Sequence, residues 1–393
     1  MRKVPVKTKG LDSRSIVRIT LLEQLAKEWQ ADLQFLVCVT EYEEIDKFKT
    51  LLHAGLVNVV PLFCSNEHFE AWDGTAVLEM HEAFQEGDVV AISEGLNHAQ
   101  VLIRETDQHH TVFLTNRCNS NCLMCSQPPT PQDDSWLVDE AAQVASHMRA
   151  SPHLLGFTGG EPLLLGERMR EVFDIFMRRH PTTVFDILTN GRLLADKSFA
   201  KKLLNSLNRP ITWMVPLYGH ADFLHDFIVQ EHGAFEETLA GLLNLHAWNQ
   251  AIQLRTVLIR PVLEILPTFC EFIGKNLPFV REVSLMACEP TGFALANPEL
   301  SDIDLRDWQE VLTLSIKTLE RAHVKVILMN APLCALPPEL WKNAHKSISD
   351  WKRKFEPECD NCVVKDECSG LFSWYSKEKQ AMQVRRIEGV MHV

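Results

Sequence analysis

From about residue 111 the chain alternates short apolar runs with longer amphipathic stretches. The runs have the length and composition of buried strands. Six of them are predicted as strands: Val112–Thr115, His153–Thr158, Val184–Thr189, Ile211–Leu217, Ile252–Ile259 and Glu282–Met286. Between them, apolar residues recur at helical spacing, as at Met169, Val172 and Phe173. Repeated strand–helix units of this kind predict an α/β fold with a parallel sheet.

Residues 1–108 follow a different pattern. Helices are predicted near Ile16–Trp29 and Ile45–Leu52. Strands are predicted at Leu33–Val39, Val57–Leu62, Glu86–Ile92 and Ala99–Arg104. These elements predict a small α/β domain without a catalytic motif. A substrate-binding or partner-binding role and a purely structural role both remain open for it.

Three cysteines, Cys118, Cys122 and Cys125, lie in the loop that follows the first of the six strands. Thiolates are soft ligands that suit iron–sulfur clusters, and three of them can hold three corners of a four-iron cluster. The fourth iron would then be open to a substrate or cosubstrate. A structural zinc site needs four closed ligands, which a tight run of three cysteines fits poorly.

A second motif ends the second strand, where Gly159, Gly160, Glu161 and Pro162 follow an apolar run. Paired glycines let the backbone approach a neighbour or ligand closely, and the glutamate supplies an anionic acceptor. Taken alone, the motif is also typical of a strand-to-helix turn with a glutamate at the start of the helix. Its position shortly after the three-cysteine loop favours a shared binding site.

The two motifs together resemble those of the radical S-adenosylmethionine (SAM) superfamily. The resemblance implies a partial (β/α)6 TIM-type barrel and a [4Fe–4S] cluster with three cysteine ligands. It also implies that SAM chelates the open iron and is cleaved reductively to a 5′-deoxyadenosyl radical. The residue before the third cysteine is usually aromatic in this family and packs near the adenine, whereas Met124 stands here. Methionine is apolar and adaptable, so Met124 is the candidate for the same packing role.

The resemblance also implies roles for residues at other strand ends. The Gly159–Glu161 turn would bind the SAM amino group, and Asn190 belongs to a turn near SAM, although an ordinary Asn-Gly turn explains it as well. Arg255 on the fifth strand is a candidate to pair with the SAM carboxylate, with an exposed or salt-bridged arginine as the alternative. No residue is assigned a catalytic role.

A second group of cysteines lies near the carboxyl terminus, at Cys334, Cys359, Cys362 and Cys368. Four thiolates can close a full coordination sphere. The group resembles the auxiliary-cluster domain (twitch, related to SPASM) of many radical SAM proteins, which implies a second [4Fe–4S] cluster. A four-cysteine zinc site fits the spacing too. The predicted domains are therefore 1–108, a radical SAM core at 109–300 and an auxiliary-cluster domain at 301–393.

Composition narrows the setting of the protein. Eleven cysteines in so long a chain do not resemble a secreted disulfide framework. The sequence contains no run that could span a bilayer, and its start lacks the apolar core of a signal peptide. These features predict a cytoplasmic protein without a membrane partner. The net charge of −13 argues against nucleic acid as a partner.

A narrower resemblance rests on the run 118–129, the segment 289–294 and the carboxyl-terminal cysteines. These are similar to the C component of the His-Xaa-Ser radical SAM maturase systems. The resemblance implies modification of a ribosomally made repeat peptide, beside a second radical SAM maturase and an electron donor such as flavodoxin or ferredoxin. Two rivals remain: a radical SAM enzyme for a small metabolite or another protein, and a non-catalytic iron–sulfur or zinc scaffold.

Overall fold

The computed structural model describes residues 2–11, 13–81, 83–205, 207 and 209–389. The strands are β1 (Arg2–Lys9), β2 (Ser15–Leu21), β3 (Phe35–Cys38), β4 (Val59–Phe63), β5 (Ala76–Glu79), β6 (Val89–Ile92), β7 (His98–Ile103), β8 (His110–Phe113), β9 (Leu154–Thr158), β10 (Val184–Leu188), β11 (Thr212–Pro216), β12 (Ala251–Leu258), β13 (Glu282–Ala287), β14 (Lys325–Met329), β15 (Ala344–His345), β16 (Arg353–Lys354) and β17 (Leu371–Phe372). The helices are α1 (Leu22–Glu28), α2 (Tyr42–His53), α3 (Asn66–Ala71), α4 (Trp136–His147), α5 (Glu167–Arg179), α6 (Lys197–Leu204), α7 (Asp222–Val229), α8 (Ala234–Ala247), α9 (Arg260–Asn276), α10 (Pro298–Ser301) and α11 (Gln309–Arg321).

The chain divides into two compact units. The first contains Met1–Val112, Trp136–Leu155 and Glu171–Val184, and the second contains Phe113–Ser135, Gly156–Arg170 and Phe185–Val393. The first unit therefore extends past residue 108 and takes in α4 together with most of α5.

The first unit contains a closed barrel with the strand order β1-β5-β4-β3-β2-β6-β7. Strands β2 to β5 pair in parallel, whereas β1, β6 and β7 add antiparallel pairs. One cluster of buried aliphatic side chains includes Val17, Ile19 and Leu36. Because β-branched and aliphatic residues suit a pleated, buried surface, these strands form a barrel with an apolar core.

The structure corrects the predicted helix at Ile16–Trp29. Its first half is the strand β2, and only Leu22–Glu28 is helical. The residues from Ile16 to Thr20 are all buried, so the strand lacks the alternation of apolar and polar positions that marks a half-exposed strand. Strands β1 and β5 were not predicted. Helix α2 and the four strands predicted in residues 1–108, which are β3, β4, β6 and β7, are confirmed within a few residues.

Helix α4 is joined to the N-terminal barrel by charged contacts. Arg14 Nε lies 2.6 Å from Glu140 Oε2. Arg149, just after the helix, forms ion pairs with three carboxylates, those of Glu28, Glu86 and Glu105. Since several partners share one guanidinium, this is a network of partly buried charges and not an isolated surface pair.

The second sheet has eight strands in the order β15-β14-β13-β12-β11-β10-β9-β8. The pairs from β10 to β15 are parallel. All six predicted strands are confirmed, and β14 and β15 extend the same sheet. On the face covered by helices, alternate residues such as Trp213, Leu254 and Leu285 are fully buried. The fold is α/β with a partial, curled parallel sheet.

In the part of the chain that the structure describes, no helix is both long enough and apolar enough to cross a membrane.

Candidate functional site

The three-cysteine loop begins where β8 ends. The N–H of Thr130 donates to the carbonyl of Asn116 at 3.0 Å and closes the loop. The buried carboxylate of Asp134 accepts from Thr115 Oγ1 at 2.9 Å and from Asn116 Nδ2 at 3.0 Å. These bonds fix the stretch of backbone from which the first cysteine follows.

The thiols of Cys118, Cys122 and Cys125 are partly buried and influence one another electrostatically. Burial raises the pKa of Cys118 to about 11 and that of Cys122 to about 12, and the neighbouring thiols contribute to both shifts. A metal ligates thiolate and so offsets such shifts. A donor set of thiols alone therefore fits three corners of an iron–sulfur cluster.

The two glycines after β9 allow this turn to bind the start of the cysteine loop. The N–H of Gly160 donates to the carbonyl oxygen of Thr115 at 2.7 Å. The N–H of Glu161 donates to the carbonyl oxygen of Arg117, also at 2.7 Å. A Cβ on Gly159 would lie 2.6 Å from the carbonyl oxygen of Thr115, and one on Gly160 would overlap that of Arg117. The close approach that glycine permits here is therefore to the cysteine loop itself.

Glu161 is fully buried and joins the ends of two strands. Its carboxylate accepts from the N–H of Leu163 at 2.9 Å, from Thr189 Oγ1 at 2.6 Å and from the N–H of Asn190 at 2.6 Å. Burial raises its pKa, and these three donors oppose the shift. The carboxylate caps the short 3₁₀-helix Pro162–Leu165, and its contact with a SAM amino group stays a prediction.

We expect Glu161→Gln to lower stability and, if the SAM contact exists, SAM affinity. One carboxylate oxygen becomes an amide NH2 that faces a donor, which costs roughly 1–3 kcal/mol. Thermal unfolding of the cluster-free protein measures the first effect, and titration of the reconstituted protein with SAM measures the second. Unchanged SAM affinity beside a lower melting temperature would assign Glu161 a structural role alone.

Two residues after β10 bind the middle of the cysteine loop. Asn190 Nδ2 donates to Asn119 Oδ1 at 2.6 Å. Arg192 is 8% exposed, and its guanidinium donates to the carbonyl of Asn119 and to Ser120 Oγ, the latter at 3.1 Å. Sequence reasoning named Asn190 but missed Arg192. The available signal was an arginine directly after a strand-end Asn-Gly turn.

Two further segments bind the rest of the loop. The N–H groups of Asn121 and Leu123 donate to the last carbonyls of α7 at 3.0 and 2.9 Å. After β13, the N–H of Phe293 donates to the carbonyl of Cys125 at 2.8 Å. Gly292 has φ +60°, and a Cβ there would overlap the same carbonyl. The ends of β9, β10 and β13 and helix α7 thus hold one loop.

The two remaining predicted cofactor residues lie apart. Met124 is buried at 6% exposure within the cysteine loop. Arg255 lies inside the sheet on β12, where its guanidinium contacts the thioether sulfurs of Met214 and Met286 at 3.2–3.3 Å. Their predicted contacts with the adenine and carboxylate of SAM stay predictions.

His225 on α7 is 1% exposed and organises the end of β11. Its Nδ1 accepts from the N–H of Tyr218 at 3.3 Å, so this nitrogen is unprotonated. Burial lowers the pKa of His225 from 6.5 to about 4.

This shift predicts acid sensitivity. The unfolded chain binds a proton near pH 6.5 and the folded chain only near pH 4, so this part of the stability is complete above pH 6.5 and declines as pH falls toward 4. The loss is roughly 3 kcal/mol. The free energy of unfolding in urea should differ less between pH 7 and pH 5 for His225→Asn than for the wild-type protein. The amide oxygen of asparagine can accept the same N–H but does not titrate. An equal pH dependence in both proteins would refute the assignment.

The four carboxyl-terminal cysteines line one cavity. The N–H groups of Leu333 and Gly370 both donate to Cys368 Sγ at 3.4 Å. Burial raises the pKa of Cys334 and of Cys359, with further contributions from neighbouring thiols. Over the described ranges, no group of three or more histidine, cysteine, aspartate or glutamate side chains is arranged to hold a metal ion. The four thiols around a cavity nevertheless fit the donor chemistry of a cluster, which is larger than one ion.

Comparisons with known proteins agree with this geometry. Residues 112–263 match the family model of the radical SAM superfamily. A probable GTP 3′,8-cyclase from Methanocella arvoryzae is 33% identical over 136 residues, which are 33% of this chain and 41% of that protein. The chain thus matches less than half of the length of this curated relative.

Solved structures give weaker likenesses. Native anSMEcpe with bound AdoMet and Cp18Cys peptide is 16% identical with a TM-score of 0.44, over 55% of this chain and 62% of that one. A radical SAM methyltransferase from Sphaerobacter thermophilus is 15% identical with a TM-score of 0.45, over 62% and 73%. Residues 112–263 are thus similar to the radical SAM domain, which is a domain of enzymes.

Proposed function

We propose that the protein reductively cleaves SAM and uses the resulting 5′-deoxyadenosyl radical to modify a ribosomally synthesised peptide of the His-Xaa-Ser repeat type. The observation that carries the first half is the loop with Cys118, Cys122 and Cys125, held at the carboxyl ends of the strands within the matched radical SAM segment. The narrower sequence resemblance supports the second half.

In this proposal the three thiolates of the loop hold a [4Fe–4S] cluster, which supplies the electron for SAM cleavage when it is bound. The turn Gly159–Glu161 and Asn190 face the same loop and would receive the amino end of SAM. Met124 would pack near the adenine. Arg192 donates to the loop backbone and would keep the thiols oriented without touching SAM.

The carboxyl-terminal cysteines would hold a second [4Fe–4S] cluster, with zinc as the alternative. An ion pair supports a connection between the two cysteine sites. Lys352 Nζ, next to β16, lies 3.0 Å from Glu289 Oε1, which begins the segment that binds Cys125. A peptide could lie between this region and the carboxyl ends of the strands. A second radical SAM maturase and a flavodoxin or ferredoxin would be its partners.

A second candidate is a radical SAM enzyme for a small metabolite. The observation that favours it is the likeness to a probable GTP 3′,8-cyclase. That likeness covers only part of each chain, so it bears on the radical SAM domain more than on the substrate.

Co-expression with a repeat peptide encoded beside the gene tests the proposal. We expect a defined mass change on the peptide that disappears with Cys118→Ala. An unmodified peptide, beside 5′-deoxyadenosine formation that a nucleotide or another acceptor stimulates, would favour the second candidate. Absence of 5′-deoxyadenosine from reduced, cluster-loaded protein would overturn both.

A further inference from the structure

The inner face of the curled sheet carries polar side chains at positions where a packed barrel core has aliphatic ones. Arg255 on β12 pairs in register with Pro216 on β11 and Ser284 on β13. Side chains at paired positions point to the same side of a sheet. The opposite side of β12 and β13 is fully buried at Leu254, Val283 and Leu285. Arg255 and Ser284 therefore lie side by side on the inner face.

Arg255 is a partly buried cation without an anionic hydrogen-bond partner among the described residues. Its three guanidinium nitrogens contact the sulfurs of Met214 and Met286. Thioethers are weak acceptors and carry no charge. A guanidinium removed from water needs an anion to offset the lost hydration. The N–H groups of Arg255 are therefore bound only by weak acceptors, and an oxyanion could replace these contacts.

Ser284 supplies a second, independent observation. It is 0% exposed, and its Oγ has no hydrogen-bond partner among the described residues. Buried hydroxyls in native proteins almost always have a partner, so an unpartnered one beside a cation that has no anionic hydrogen-bond partner among the described residues indicates that a ligand completes both.

We propose that Arg255 and Ser284 bind a carboxylate group of the substrate inside the curled sheet. The proposal rests on the proposed function and specifies its substrate as one that bears a carboxylate, such as an acidic side chain or the end of a peptide. One guanidinium and one hydroxyl match a singly charged, planar carboxylate. The carboxyl of Asp186 interacts electrostatically with Arg255 and offsets part of its charge, so a singly charged ligand suits the site better than a doubly charged phosphate.

A carboxylate at Arg255 has two possible sources, the substrate and SAM itself. The proposal assigns it to the substrate, and the experiment below distinguishes the two sources.

Calorimetric titration of the anaerobically reconstituted protein tests the proposal without turnover. Acetate should bind the SAM-loaded protein, and Arg255→Met should weaken it at least tenfold. Ser284→Ala should weaken it severalfold without loss of thermal stability, because the hydroxyl has no partner to lose. Arg260→Met, the same change at an exposed residue of α9, should leave acetate binding unchanged.

Three outcomes would overturn the proposal. If Arg255→Met weakens SAM but not decarboxylated SAM, the carboxylate is that of SAM itself. If inorganic phosphate binds more tightly than acetate and depends on Arg255, the ligand is a phosphate. If acetate does not bind, or binds all variants equally, no such site exists. Failure to form 5′-deoxyadenosine beside Arg255-dependent acetate binding would instead refute the proposed function alone.

Discussion

Replacing Cys118, Cys122 and Cys125 together by alanine should remove about half of the iron and all SAM cleavage. Two four-iron clusters correspond to about eight irons per chain, so about four should remain at the carboxyl-terminal cysteines. The cause is the loss of all three thiolates of one site. Iron and sulfide analysis after anaerobic reconstitution, with 5′-deoxyadenosine measured after strong reduction, gives both numbers.

Cys270→Ala is the matched control. This thiol is fully buried in α9 and lies outside both cysteine groups, so its loss should leave iron and SAM cleavage at the wild-type level. Full iron content in the triple variant would contradict the assignment of the loop. About four irons plus one zinc in the wild-type protein would replace the second cluster by a zinc site.

Gly160→Ala should be the most damaging single substitution near the site. The added Cβ would overlap the carbonyl of Arg117, and the N–H of Gly160 would lose its 2.7 Å bond to Thr115 as the two segments separate. Because the obstacle is backbone, relief requires movement of the cysteine loop, at a cost on the order of 3 kcal/mol. We expect loss of the loop's share of the iron and a clearly lower melting temperature.

Gly389→Ala controls for the substitution itself, since no atom of the described residues beyond its chain neighbours lies within 4 Å of a Cβ at that position. It should match the wild-type protein in iron content and melting temperature. If Gly160→Ala also matched the wild-type protein, the close pairing between the β9 turn and the cysteine loop would be wrong. An intact cluster with weaker SAM binding would instead indicate that the glycine serves the cosubstrate.

The sheet was predictable because its strands are short, apolar and separated by clear helical periods. The six predicted strands match the structure within a few residues. In contrast, β2 was mistaken for a helix because burial on both faces removes the alternation that identifies a strand. The closure of β1 with β5 and β7 into a barrel depends on pairing between distant segments, which local pattern does not report.

The site was predictable only in part. Motif spacing predicted that the cysteines and the glycine turn share one site, because the chemistry of a cluster restricts residue type and order. The structure brings the two segments into contact, and their roles as ligands stay predictions. It did not reveal that Glu161 already accepts three hydrogen bonds from the protein. Nor did it identify Arg192, whose role depends on contacts with residues more than seventy positions earlier in the chain.

The ion pairs of Arg149 limit how the N-terminal barrel can be exchanged between related genes by recombination. A cut after residue 108 would separate Arg14 from Glu140 and would separate Arg149 from the glutamates that surround it. Charges that now neutralise one another would be left unmatched on both fragments. A barrel transferred from a related gene would therefore need compensating changes in α4, so the two segments should vary together during evolution.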